Sequence, residues 1–173
     1  MKENESNNVK NGKTIMKYSG SLYVCKEAQK TKDFYTEVLG VRVIQDFGAN
    51  FTFTGGFSFQ TVESWTSFIS KKETDIAFGS NNAELYFECE DLDAFIQTLE
   101  QRFDIEYVHP IKVHDWGQRG IRIFDPNGHI IEISETLSQV CVRFMNQGFT
   151  IKEISQKTML SEKMVKRLLN KRI

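Results

Sequence analysis

Residues 125–135, DPNGHIIEISE, carry the carboxylate whose setting most constrains its chemistry. Pro126 fixes φ for a tight turn, and Asn127 with Gly128 tolerates the left-handed conformation that closes it. The next six residues alternate, so Ile130, Glu132 and Ser134 share one strand face while Ile131, Ile133 and Glu135 share the other. Glu132 therefore stands mid-strand among apolar neighbours. A carboxylate there has to be paired, metal-bound or at the mouth of a cavity, because burying it unpaired costs too much. A second alternation, Glu84, Tyr86 and Glu88 against Leu85, Phe87 and Cys89, gives another strand with one polar face and one apolar face.

Other residue types with chemical capacity gather nearby in the sequence. Trp116, Gln118 and Arg119 follow His114-Asp115 and are expected to wall a pocket with Tyr86, where an indole beside an amide suits a planar or partly apolar ligand. The competing reading of Trp116 is a core indole. His114 is the histidine suited to acid or base work. His109, before Pro110, and His129, in the turn, are expected to be surface or capping groups. Glu84 and Glu132 also have a purely structural reading, as ion-pair partners of Arg119 or Arg122.

Several chemistries are excluded by what is missing. There is no GxSxG, no phosphate-cradling GxxxxGK[ST], no dinucleotide fingerprint and no HExxH, so hydrolysis by an activated Ser or Cys has no support. Cys25, Cys89 and Cys141 are odd in number and lack a CxxC, which argues for free thiols rather than disulfides or a thiolate zinc site. No apolar run reaches the length of a membrane span and no signal-peptide core opens the chain, so a cytoplasmic location without membrane association is expected.

The elements that position these residues follow from periodicity. Residues 1–15, rich in Asn, Lys and Glu, read as a flexible leader. A strand at 21–25 leads to a helix at 30–39 with Phe34, Tyr35, Val38 and Leu39 as its buried stripe and Gly40 as its cap. Strands are expected at 41–47, 51–53 and 57–62, the last two as a hairpin across Gly55-Gly56. A connector at 64–82 includes a short helix on which Trp65, Phe68 and Ile69 dock. The order then repeats: strand 84–88, helix 92–103, strands 105–109, 119–124 and 130–134. Two copies of one layout imply a pseudo-symmetric pair of modules, 16–63 and 83–136.

FYTEVLG at 34–40, the strand entering DLDAF at 91–95, WGQR at 116–119 and DPNGHIIEI at 125–133 are similar to motifs of the vicinal oxygen chelate superfamily. That superfamily includes glyoxalase I, bleomycin-resistance proteins and extradiol dioxygenases. The resemblance covers residues 16–136 and implies an α+β fold in which two βαβββ modules form an open, cup-shaped mixed sheet, here with a helical C-terminal extension. It also implies metal ligands on the first and last strand of each module. The first such position falls on Gly20, which has no side chain to coordinate. The others fall on Gln60, Glu84 and Glu132, an oxygen set suited to manganese, magnesium or iron, with nickel and zinc as further candidates. In a metalloenzyme of this type Glu132 and His114 would be the catalytic groups.

Residues 137–173 contain five Lys and three Arg against Glu153 and Glu162, so this tail is +6 while the remainder of the chain is −7. Its sequence reads as three helices: 137–147 ended by Gly148, a second opened by a Thr150/Glu153 capping box, and a third, 162–171, opened by Ser161. The stretch 150–169 resembles the two-helix core of a helix-turn-helix, with Lys163, Lys166 and Arg167 placed for phosphates. Covering a sheet end or crossing to a partner subunit is the alternative.

Three functions follow in order. The first is a metal-dependent, glyoxalase-like or dioxygenase-like enzyme, a lyase or dioxygenase acting on a small oxygenated molecule. The second, close behind because of Gly20, is a metal-free small-molecule binder of bleomycin-resistance type. A ligand-sensing DNA binder comes third, nucleic acid being disfavoured by the acidic body. A homodimer is expected by analogy.

Overall fold

The computed structural model describes residues 16–170, together with the backbone of residues 9–10 and 13–14, which form a two-residue antiparallel ladder. The leader otherwise lies outside the described residues. The first module consists of β1 (Ser21–Cys25), α1 (Ala28–Glu37), β2 (Val43–Asp46), β3 (Asn50–Phe53) and β4 (Phe57–Thr61). After a connecting helix, α2 (Val62–Ile69), the second repeats the order with β5 (Glu84–Cys89), α3 (Leu92–Glu100), β6 (Tyr107–Val113), β7 (Arg119–Phe124) and β8 (Ile130–Glu135). Each module is a four-stranded mixed sheet, in the order β1-β4-β3-β2 and β5-β8-β7-β6, whose first and last strands run parallel.

One apolar face of each sheet is covered by its own helix. Phe34 and Tyr35 of α1 meet Phe51, Phe53 and Phe59, with Tyr35 ring centroids 5.2 Å from Phe53 and 5.0 Å from Phe59. Leu92 and Leu99 of α3 lie over Ile121, Ile123, Ile131 and Ile133, and the two sets merge into one core. Burying each such side chain stabilises the fold by roughly 1.5–3 kcal/mol. Asp91 caps α3 by accepting the Ala94 N–H at 3.0 Å.

The DPNG turn joins the modules. Asp125 accepts the N–H groups of Asn127 and His129, both at 2.8 Å, and the Tyr35 hydroxyl at 3.2 Å. Asn127 Oδ1 accepts the Lys26 N–H at 2.9 Å and its Nδ2 donates to Thr31 Oγ1 at 3.1 Å. Of the two roles expected for His129, surface or capping, it takes the capping one. Its Nε2 bonds the Val24 carbonyl at 2.8 Å and its ring lies against Tyr23 and Phe59, because the turn is wedged between modules.

Element boundaries also differ. β6 continues through Pro110 to Val113, which is possible because β6 is an edge strand and the missing N–H need not pair. The helix expected at 92–103 ends at Glu100, one residue after its last buried anchor, Leu99, and leaves Phe103 fully exposed. The connector helix begins at Val62, and Phe68 points away from it, 77% exposed, instead of docking.

The chain ends in α4 (Leu137–Asn146), α5 (Ile151–Thr158) and α6 (Glu162–Asn170), which bury Val140, Cys141, Phe144, Ile154 and Val165 in a core of their own. Among the described residues no helix is long and apolar enough to cross a membrane.

Candidate functional site

The polar residues converge on the face of the second sheet opposite α3. Register explains why. Glu132 of β8 stands opposite Arg122 of β7 and beside Tyr86 of β5, so all three project to the same side. Arg122 Nε donates to Glu84 Oε2 at 2.8 Å, its Nη2 pairs with Glu132 Oε2, and its Nη1 is 3.3 Å from His109 Nε2. Glu132, only 5% exposed, also accepts the Ser134 hydroxyl at 2.7 Å on Oε1, with His114 Nε2 3.8 Å from that oxygen.

A second group continues the site from His114. Its imidazole stacks parallel on the Trp116 indole with centroids 4.4 Å apart. Trp116 Nε1 donates to Gln118 Oε1 at 2.8 Å, while Gln118 Nε2 donates to the Tyr86 hydroxyl at 3.1 Å and to the Glu135 carbonyl at 2.7 Å. Burial, reinforced by the neighbouring Glu88 carboxylate, raises the Tyr86 phenol above its ordinary range, with the Gln118 bond opposing the shift. Tyr86 is thus a neutral hydroxyl at physiological pH. Beside it runs a groove of about 610 Å3 bordered by Tyr23, Phe57, Glu84, Tyr86, Phe87 and Glu88.

Six residues singled out in the sequence, Glu84, Tyr86, His114, Trp116, Gln118 and Glu132, are therefore one connected set. Two are not part of it. Arg119 shares its strand face with Ile121 and Ile123, so it points to the α3 side, where Nε holds Glu135 at 3.1 Å and the two Nη atoms hold Asp93 at 2.9 and 3.1 Å. It clamps the sheet to α3 and does not wall the groove. Gln60 lies on the first sheet, bonded to Ser64 Oγ at 2.8 Å and to Asn50 Nδ2 at 3.5 Å, with no bond to Glu84 or Glu132. Arg122, Ser134 and His109 belong to the site although the sequence marked Arg122 only as an ion-pair partner. The signal available for Ser134 was its period-2 spacing from Glu132.

The metal implied by the resemblance does not fit this arrangement. The guanidinium of Arg122 bridges the two carboxylates that would hold the ion, and Gln60 is engaged elsewhere. Gly20 is fixed as glycine: φ is +152°, and a Cβ there would sit 2.5 Å from the Gly56 carbonyl oxygen. Among the described residues no three His, Cys, Asp or Glu side chains are grouped to hold a metal ion.

A glyoxalase-like domain model matches residues 18–138, both modules complete. The chain belongs to the glyoxalase-like family. A protein of unknown function from Agrobacterium tumefaciens is 33% identical, with a TM-score of 0.64 over 70% of this chain and 94% of its own. At lower identity the likeness concerns the fold. A glyoxalase-related enzyme from Fulvimarina pelagi is 16% identical, with a TM-score of 0.57 over 70% and 89% of the two chains. A glyoxalase/bleomycin resistance protein/dioxygenase from Nocardioides is 17% identical, with a TM-score of 0.56 over 71% and 85%. No curated protein matches the chain. The glyoxalase-like region ends where α4 begins, so the two clusters of site residues lie wholly inside it.

Proposed function

We propose that this glyoxalase-like protein binds a small planar molecule, without a resident metal, on the β5-β8-β7 face of its second module. The observation that carries the reading is Arg122 between Glu84 and Glu132: the site has its own cation, and that cation is covalently part of the chain. The His114–Trp116 stack offers an aromatic surface, and the Tyr86 hydroxyl, held in place by buried Gln118, offers a hydrogen-bond group at the edge of the groove. Binding of this kind sequesters or presents the ligand and requires no bond to be broken. A homodimer remains part of the reading by family analogy and would be measured as the mass in solution.

The second reading is an enzyme in which Glu132 moves a proton, favoured by His114 Nε2 lying 3.8 Å from Glu132 Oε1. If a divalent ion takes part, Arg122 has to leave the carboxylates first.

Thermal melts with EDTA, with manganese, iron, magnesium, nickel or zinc, and with a panel of planar small molecules test the choice. The binder reading expects no ion to raise the melt and at least one planar compound to raise it in the native protein but not in Trp116→Ala. Stoichiometric metal, lost in Glu132→Gln, would overturn it in favour of the metalloenzyme.

A further inference from the structure

We propose that α4–α6 form a DNA-binding unit in which α6 lies in the major groove of duplex DNA. The unit begins where the glyoxalase-like match ends, at residue 138. It also has its own core. Val140, Cys141, Phe144, Ile154 and Val165 are buried with Phe149, Leu160, Leu168 and Leu169 packed around them. α4 docks on the glyoxalase-like region through the Phe144 ring at Gly117 and the Arg143 bonds to Gly117 and Glu135. The remaining apolar side chains of the three helices are directed at one another, and α6 presents a polar, cationic row outside.

The backbone has the required shape. α5 opens with a reciprocal capping box, Thr150 with Glu153, and ends at Met159 in the left-handed region, φ 58°. The turn is the three residues Met159–Ser161, and Ser161 Oγ accepts the Met164 N–H at 3.2 Å to start α6. α6 packs on both α4 and α5, and Ser138 Oγ ties α4 to the Leu168 carbonyl at 2.9 Å. Two helices joined by a short turn and supported by a third is the arrangement that presents the second helix to a groove.

The charge has the required sign and placement. Val165 is buried, while Lys163, Lys166, Arg167 and Asn170 recur at i, i+3, i+4 and i+7 and are all exposed. Among the described residues none of these three cations enters an ion pair, and Arg167 contacts only the Met164 sulfur, at 2.9 Å. Such a row, cations for phosphates with an amide for a base edge, fits the wide major groove of B-form DNA and not the deep, narrow one of A-form RNA. The −7 body would repel a nucleic acid that the +6 tail attracts, so the field also sets the orientation of approach. The sequence ranks DNA binding third; the separate core and the unpaired cationic row reverse that order for the tail.

Fluorescence anisotropy of a labelled random-sequence duplex with the full-length protein tests this. Three phosphate contacts predict a log–log salt slope of about −2.7, an affinity loss of about 40-fold between ~50 and ~200 mM salt. Lys166→Ala lowers that slope by about 1. The triple variant Lys163→Ala/Lys166→Ala/Arg167→Ala abolishes binding while keeping the native melt, since all three side chains are on the surface. The absence of binding at low salt, equal binding by the triple variant, or tighter binding to duplex RNA would overturn the proposal. So would a self-association lost in the triple variant without DNA binding, which would make the row a contact for the acidic body of a second copy.

Discussion

Arg122 and Glu132 are direct register partners on β7 and β8, and their side chains close on one another on the face away from the core. Because Glu132 is almost fully buried, removing its partner leaves an uncompensated charge. Arg122→Met is expected to lower stability by about 3 kcal/mol, whereas Arg122→Met/Glu132→Gln recovers most of the loss. Urea denaturation of the two variants checks the pair. Equal losses in both would mean that the unpaired Glu132 charge costs nothing.

Asn127 supplies an acceptor for Lys26 and a donor for Thr31 across the module boundary. Asn127→Ala should cost about 2 kcal/mol by leaving the Lys26 N–H without its partner. Hydrogen exchange is the direct readout: the Lys26 amide loses protection in the variant before amides at the centre of β7 do.

Gly117 follows Trp116 and precedes Gln118, with φ at +85° and the Phe144 ring of α4 in the space a Cβ would need. Arg143 Nη2 binds its carbonyl at 2.6 Å. A methyl group there would overlap the ring and would strain the backbone as well. Gly117→Ala is expected to destabilise by about 2–3 kcal/mol, and Phe144→Leu in the same chain should restore part of it by giving the methyl room. Calorimetric melts of the single and double variants decide.

Burial pushes the Cys25 thiol from 9.0 up to about 11, with a Thr31 hydrogen bond opposing the shift, and it raises the Tyr35 phenol in the same direction. Both groups hold their protons more tightly folded than unfolded. The Cys25 contribution is complete below pH 9, where the unfolded thiol is still protonated, and is lost as pH rises toward and through 11. Cys25 alone accounts for about 2–3 kcal/mol over that window. The urea midpoint should be flat from pH 7 to about 9 and fall thereafter, and Cys25→Ser should flatten the fall.

The alternation of β5 and β8 was legible in the sequence, and it put Glu84 with Tyr86 on one face of β5 and Glu132 with Ser134 on one face of β8. The same alternation puts Arg119 with Ile121 and Ile123, away from the groove, and Arg122 with Glu132. Choosing between the two arginines required the pairing of β7 with β8. Gln60 could not be assigned from its own strand, since its partners, Ser64 and Asn50, depend on where α2 starts and how β3 pairs. The choice between a surface and a capping role for His129 stayed open for a related reason: a turn sequence describes the bend, while what packs against it comes from a strand about a hundred residues earlier.

The bond between Lys26 and Asn127 spans 101 residues of chain. During synthesis the first module emerges complete in sequence yet incomplete in structure, with the Lys26 amide, the Val24 carbonyl and the Tyr35 hydroxyl all awaiting groups from the DPNG turn. At ~5–20 residues per second, the 64 residues from Thr61 to Asp125 take about 3–13 s, far longer than a helix or hairpin takes to form. The nascent first half therefore spends that interval with an open seam, and it is the arrival of residues 125–129 that turns two repeats into a single folding unit.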